Sequence, residues 1–296
     1  MNPNKIIVTG SSGMLATDLI PFIKQRNCNV LGIDLNSNSD TTDVVMDITN
    51  MKLVLDLFDK YKPTVVIHLA AMTDVDACER FHKKAYTANT LSTQIIAEAC
   101  AQYNTTIVYL STASVFAGDK SEGYIETDIP NPQNYYAETK LLGEQIILQS
   151  KKHLIVRAGW MFGGKQKDKK FVGNILNQLS ITNEIRAVID KTGTLTYTRD
   201  IAQVVLELLM QYPLGVYHCA NEGHASRFEI AEEIIKILQI EEKKVIPVNS
   251  DYFKSIASRP RYECLQNFNL YQNGHIKLPH WKTSMAYYIT DQKNIL

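Results

Sequence analysis

Five short, unbroken apolar runs constrain the fold of this chain more than any other feature. They are KIIVTG (5–10), NVLGID (29–34), TVVIHLA (64–70), TIVYLST (106–112) and HLIVRAG (153–159). None alternates polar with apolar residues, as a strand with one wet face does. Strands buried on both faces read this way, and a parallel sheet covered by helices buries both faces. Helical patterns lie between the runs. Leu15, Leu19 and Ile23 stand at i, i+4 and i+8 and make one apolar stripe. Pro21 falls inside that stripe and predicts a kink or a lost backbone bond there. Further helices are expected over 84–103 and 135–150. Strand and helix in alternation predict an α/β fold with a doubly wound parallel sheet and right-handed crossovers.

After residue 160 the rhythm changes. MFGGKQKDKK reads as a loop, with KQKDKK (165–170) a solvated basic run. Helices are expected over 171–180 and 200–211, followed by a strand at GVYHCA (215–220). In SRFE, Ser226 and Glu229 form a capping-box pattern that opens another helix. From 245 onward the tail reads as irregular. Two domains follow: residues 1–160 plus about 190–218, and a smaller mixed α/β domain of about 161–189 plus 219–296. Lys plus Arg is 31 and Asp plus Glu is 31, so nothing draws the chain as a whole to nucleic acid or an anionic membrane. No run approaches the roughly 18 apolar residues of a membrane helix, and the N-terminus lacks the pattern of a signal peptide. The five cysteines are scattered, with no C-x-x-C pair, and the seven histidines form no H-E-x-x-H. Reduced thiols, a cytoplasmic location and no metal site are the expectation.

The first run ends in VTGSSGMLA. Gly10 allows a tight turn, and Gly13 lets the backbone approach a pyrophosphate that a Cβ would obstruct. A helix starting there offers free N–H groups and its positive dipole end to phosphates. Ala16, in place of a third glycine, is small enough for close packing. The second run ends in Asp34, about 20 residues beyond the loop, where a carboxylate can hold both ribose hydroxyls of NAD and repels the 2′-phosphate of NADP. No Arg or Lys stands in LNSNS (35–39) to attract that phosphate. The pattern is that of a Rossmann domain preferring NAD(H), with NADP(H) left open. Asp47 and Ile48 lie where an adenine could be held.

NPQNYYAETKLLGEQ (131–145) raises a different chemistry. On a helix only the i, i+4 pair shares a face, so Lys140 belongs with Tyr136 rather than Tyr135. A phenol with a pKa of about 10 is a poor acid at neutral pH. A nearby ammonium favours the phenolate and is expected to lower that pKa. Ser111 and Thr112, at the carboxyl end of the fourth run, stand where ligands of open α/β sheets bind.

Together these segments resemble the extended short-chain dehydrogenase/reductase superfamily and, within it, the dTDP-4-dehydrorhamnose reductase family. TGSSGML resembles the family's cofactor loop, which adds Ser12, Met14 and Leu15 to the cofactor set. HLAAMTDVDACE (68–79) is similar to its A-A-x-T-x-V-D-x-x-E segment, with Leu69, Ala70 and Ala71 beside the cofactor and Thr73 on the substrate. LSTASVF resembles S-T-D-Y-V-F, YYAETKLLGE the Y-x-x-x-K helix, RAGWMFG the R-x-x-W-x-[YF]-G segment, and SRPRYECL a late A-R-P-x-x-S-x-L segment. The resemblance implies hydride transfer to C4 of a nucleotide-linked 4-keto-6-deoxy sugar. Tyr136 would protonate the carbonyl oxygen, Thr112 would hydrogen-bond it, and Lys140 would bind the cofactor ribose. Trp160 would touch the substrate and Arg259 its diphosphate. Three departures leave the sugar and the base open. Ala113-Ser114 stands for Asp-Tyr, Glu263 for the late serine, and DKTGTLT (190–196) for D-Q-x-G-x-P-T. Ala113-Ser114 also lacks the acid pair of the related dehydratases. The alternatives are a nucleotide-sugar 4-epimerase with tightly held NAD, and a non-catalytic regulatory relative. A homodimer is compatible with either.

Overall fold

In the computed structural model the described residues are 4–36, 39–211, 213–272 and 276–293. The chain opens with β1 (Lys5–Thr9), α1 (Met14–Gln25), β2 (Asn29–Asp34), the short β3 (Val44–Val45), α2 (Met51–Tyr61) and β4 (Val65–His68). Helices α3 (Val75–Arg80) and α4 (His82–Tyr86) pass through a π-turn, Thr87–Leu91, into α5 (Ser92–Gln102). Then come β5 (Thr106–Thr112), α6 (Tyr135–Ile147), β6 (His153–Ala158), β7 (Trp160–Phe162), α7 (Phe171–Leu179), β8 (Glu184–Val188), β9 (Thr192–Gly193) and β10 (Leu195–Tyr197). The last part holds α8 (Thr198–Gln211), β11 (Gly215–Cys219), β12 (Ala225–Ser226), α9 (Arg227–Leu238), β13 (Lys244–Val248), β14 (Tyr262–Glu263), α10 (Phe268–Gln272) and α11 (Trp281–Lys293).

Seven strands pair in the order β3-β2-β1-β4-β5-β6-β11, every neighbour parallel. The unbroken apolar runs are explained by what covers them. Ile6, Val8, Ile67 and Val108 face α1 and α8 in one core, while Ile7, Val66, Ile107 and Ile155 face α2 and α5 in another. Each such side chain, removed from water on either face, stabilises the sheet by about 1.5–3 kcal/mol. Strand order reverses at β1 and β4, so a crevice opens above their carboxyl ends. A separate core of Val172, Ile185, Ile230, Trp281 and Met285 holds α7, α9 and α11 with β8 as a second lobe beside that crevice.

Two local expectations are corrected and one is narrowed. Helix α1 continues through Pro21, so the weakening expected there is confined to the lost backbone bond, on the exposed side where the unpaired carbonyl can turn to water. The stretch 84–103 is not one regular helix: the π-turn interrupts it and buries Asn89. The tail holds a 13-residue helix, α11. Its apolar stripe, Trp281, Met285, Tyr288 and Ile289, is readable, but the weak helix formers around it (Thr283, Ser284, Tyr287, Thr290) mask it. The capping box at α9 forms as expected, with the Ser226 hydroxyl accepting from Glu229 N–H and the Glu229 carboxylate accepting from Ser226 N–H.

Candidate active site

A cavity of about 1250 Å³ occupies the crevice, lined by the sheet's carboxyl edge on one side and the second lobe on the other. At its floor Gly10 turns with φ +70°, and a Cβ there would sit 2.7 Å from the Ala70 nitrogen. The turn is therefore open only to glycine. Helix α1 starts at Gly13 with no side chain capping it, which leaves the first-turn N–H groups of Met14 and Leu15 for a ligand. Asp34 stands beside the loop. Its Oδ2 accepts from Ser12 N–H (3.0 Å) and its Oδ1 from Asn36 N–H (3.0 Å). Asp47 closes its own turn by accepting from Thr49 N–H and Oγ1–H at 2.9 and 2.7 Å, which sets Ile48 at the cavity wall. Leu69, Ala70 and Ala71 complete this side. A glycine turn, uncapped helix start and strand-end carboxylate suit the pyrophosphate and ribose of a dinucleotide.

Deeper in, α6 delivers two side chains. Asn134 caps the helix, accepting from Ala137 N–H at 2.9 Å. Tyr136 then faces the cavity, which Thr112 lines as well. Tyr135 points elsewhere and stacks on His82, 3.8 Å between ring centres. Lys140, one turn on, is buried, and its ammonium lies 4.0 Å from the centre of the Tyr109 ring. Burial pushes Lys140 down to about 7, against the pull of Glu144. Burial also pushes the Tyr136 phenol up to about 12, with Cys78 and Glu263 adding to the rise. The expectation of a phenol lowered by its lysine is thus corrected: removal from water by burial is the largest influence on Tyr136 and raises it. Ser111 lines the same cavity with its buried Oγ unpartnered among the described residues.

The opposite wall is built by Trp160, at the boundary of the sheet domain, and by residues of the second lobe. The Trp160 indole packs over Gly193, where a Cβ would come within 2.6 Å of the ring. Its Nε1–H donates to Glu263 Oε2 at 2.7 Å. The Arg227 guanidinium stacks on Trp160 (3.6 Å to the ring centre) and approaches Phe171 (4.7 Å). Burial lowers it to about 10, with Glu263 opposing. Arg259 is held by Asp76 (3.0 Å) and the Ala257 carbonyl (3.0 Å). Thr73 receives Lys170, whose ammonium donates to its Oγ1 (3.0 Å) and carbonyl (3.2 Å). The 165–170 run is therefore not wholly a solvated loop, because its last lysine bridges the two lobes. The loop carrying Thr73 is fixed from behind by Asn89, which accepts from Met72 N–H and donates to the Met72 carbonyl (2.7 and 3.1 Å).

A family model described as RmlD substrate binding domain matches residues 4–294. The chain belongs to that family. The RmlD-family fold is shared with a dTDP-4-dehydrorhamnose reductase from Clostridium acetobutylicum, whose crystal structure superposes with a TM-score of 0.91 at 34% identity, covering 98% of this chain and 99% of that one. A second, from Bacillus anthracis, was solved in complex with NADP (TM-score 0.91, 30% identity, 98% and 100% covered). The spore coat polysaccharide biosynthesis protein SpsK of Bacillus subtilis is 30% identical over 291 residues, 98% of each chain.

In this RmlD-family chain every residue singled out from the sequence lines the one cavity: Gly10, Ser12, Gly13, Met14, Leu15, Asp34, Asp47, Ile48, Leu69, Ala70, Ala71, Thr73, Thr112, Tyr136, Lys140, Trp160 and Arg259. Lys170, Phe171 and Arg227 line it too and were missed. Arg227 had a signal, since it directly follows a helix-capping serine and a cation is not favoured at that dipole end. No helix among the described residues is long and apolar enough to cross a membrane.

Proposed function

We propose that the chain reduces the C4 carbonyl of a nucleotide-linked 4-keto-6-deoxy sugar, as a dTDP-4-dehydrorhamnose reductase of deoxysugar and polysaccharide biosynthesis. The observation that carries this reading is the meeting of Tyr136, Thr112 and Lys140 with the glycine loop in one cavity. A bound dihydronicotinamide supplies the hydride to the carbonyl carbon. Tyr136 gives its phenolic proton to the carbonyl oxygen, so the alcohol forms without a free alkoxide. A phenol kept protonated by burial is ready for this direction of the reaction. Thr112 hydrogen-bonds the same oxygen. Lys140, at the back of the pocket, holds the cofactor ribose. Gly10, Ser12, Gly13, Met14 and Leu15 seat the pyrophosphate, and Asp47 and Ile48 flank the adenine.

Asp34 favours NADH. Its carboxylate is already oriented by two backbone N–H groups, and a 2′-phosphate would meet it at close range. The Bacillus anthracis relative was solved with NADP, so the preference is a property of this chain to be measured. The sugar nucleotide lies between lobes, with the division at residues 1–160 plus about 190–218 against about 161–189 plus 219–296. Thr73 and Trp160 contact the sugar, and Arg259, joined by Arg227, meets the diphosphate. A guanidinium flat on an indole keeps its N–H edges free for paired bonds to phosphate. The test is a spectrophotometric screen of dTDP-, UDP-, GDP- and CDP-linked 4-keto-6-deoxy sugars with each reduced cofactor. Stoichiometric loss of NADH absorbance with the dTDP sugar is expected. Product formed with no net cofactor change, as an epimerase gives, would overturn the reading.

A further inference from the structure

The Trp160 indole lines the cavity, yet protein already covers most of it. Gly193 lies against one face, where a Cβ would sit 2.6, 2.8 and 2.9 Å from three indole carbons. The Arg227 guanidinium lies 3.6 Å from the ring centre, and two groups that close cannot share a face. The Nε1–H edge belongs to Glu263 Oε2 at 2.7 Å. The indole therefore offers a sugar only its remaining edge, and the group mounted on its open face is Arg227. Phe171, 4.7 Å from the guanidinium, encloses it further.

Three cations line the cavity around this stack: Arg227, Arg259 and Lys170. Two of them are held by protein. Arg259 donates to Asp76 and to the Ala257 carbonyl, both at 3.0 Å, and Lys170 donates to Thr73. Arg227 forms no hydrogen bond and no ion pair among the described residues. Glu263 is turned to other groups, with one carboxylate oxygen accepting from Ser114 and the other from the Trp160 N–H. Burial lowers Arg227, Glu263 opposes, and Arg259 adds to the fall, so the charge sits where it is costly. Arg227 also heads α9, whose positive dipole end disfavours a cation and favours an anion. A half-buried guanidinium with stacked faces and unused N–H edges is offset by a ligand anion that accepts from those edges.

On the nucleotide-sugar reading, we propose that Arg227 is the residue that selects a diphosphate: mounted on Trp160 and Phe171, it grips the phosphate bridge through its N–H edge and makes this part of the site sense the number of phosphates rather than the base. Trp160 is its platform. The test is calorimetric titration of thymidine, dTMP, dTDP and UDP, with NAD⁺ filling the dinucleotide site so that nucleotides stay out of the glycine loop. Arg227→Gln is expected to weaken dTDP and UDP alike by about 10- to 100-fold, the factor of a lost charge-assisted hydrogen bond, and dTMP by less. Thymidine should stay within about twofold, because a neutral nucleoside carries no anion for Arg227 to hold. Arg227→Lys should restore only part of the loss, since an ammonium neither stacks flat nor holds two oxygens in one plane. In a Trp160→Leu background Arg227→Gln should cost much less, and an undiminished cost there would overturn the platform role. Equal losses for thymidine and dTDP, unchanged dTDP affinity in Arg227→Gln, or full affinity in Arg227→Lys would overturn the proposal. Arg227→Lys decides alone should Arg227→Gln fail to fold. Wild-type protein that binds no nucleoside diphosphate would remove the nucleotide-sugar reading together with the inference. Wild type and Arg227→Gln binding dTDP equally well would remove the inference alone.

Discussion

Tyr136 is useful at the residue scale because its surroundings oppose ionisation. Desolvation holds the proton on the phenol across the neutral range, so an acid is present whenever substrate arrives. Removing it should cost rate and spare binding. Tyr136→Phe is expected to lower kcat by roughly 10²- to 10⁴-fold, the span usual for a lost general acid. Cofactor affinity, followed by fluorescence quenching, should stay within about threefold. A rate within twofold of wild type would remove Tyr136 from its role. Asp34 governs a different choice. Asp34→Ala deletes the ribose acceptor and the repulsion of the 2′-phosphate together, so the ratio of kcat/KM for NADH over NADPH should fall about tenfold or more, about 1.4 kcal/mol. A ratio that stays put, or a wild type that prefers NADPH, defeats that assignment.

Elements explain why two such side chains can be aimed at all. Helix α6 lies against β5 so closely that a Cβ at Gly143 would sit 2.2 Å from Tyr109 Oη. The same Oη donates to the Lys140 carbonyl at 3.3 Å, pinning the helix at the turn that carries the lysine. Gly143→Ala should therefore push α6 away, at a cost of about 1–3 kcal/mol for overpacking, and lower activity as Tyr136 moves. Tyr109→Phe in the same chain removes the clashing oxygen and should restore part of the melting temperature; no recovery would mean that helix propensity or some other contact sets the spacing. This element was legible in advance, since the Tyr136–Lys140 spacing is local. So were the glycine loop and the strand runs, whose signals span a few residues each. Glu263 carried no such signal. Its part depends on Ser114 and Trp160, 149 and 103 residues away, and only tertiary packing brings them together. Lys170 was hidden for the same reason, since Thr73, its partner, belongs to the other lobe.

At the scale of the whole molecule, two buried histidines tie the sheet to what surrounds it, and they make stability depend on pH. His68, on β4, shares its ring nitrogens with the Thr9 and Thr93 hydroxyls at 2.7 and 3.0 Å. His218, on β11, has Nδ1 at 3.1 Å from the carbonyls of Tyr124 and Gln266, so that nitrogen carries the proton. Its Nε2 then accepts from the Arg157 guanidinium at 3.3 Å, while Arg157 is itself gripped by Glu144 at 2.9 and 2.7 Å. Neither ring can take a second proton without losing an acceptor role or facing a cation. Burial, reinforced by Lys140 for His68 and by Arg157 for His218, pushes both down to about 3. Folded values below the unfolded 6.5 mean that their stabilising contribution is complete above pH 6.5. It drains away as the pH falls from there toward 3, because the unfolded chain takes up protons that the folded chain refuses. At about 1.4 kcal/mol per pH unit for each, the loss by pH 5 is on the order of 2 kcal/mol per histidine. Asp18, Glu126 and Asp168, whose carboxyls burial raises, act with the opposite sign over part of the range. The informative quantity is therefore the difference between wild type and His218→Gln, an amide that can still bond Arg157 but does not titrate. Urea unfolding at pH 7 and pH 5 should show the variant losing about 2 kcal/mol less than wild type across that interval. Equal losses in the two proteins would mean that His218 takes up its proton in the folded state as readily as in the unfolded one, and that the Arg157 contact does not hold it neutral.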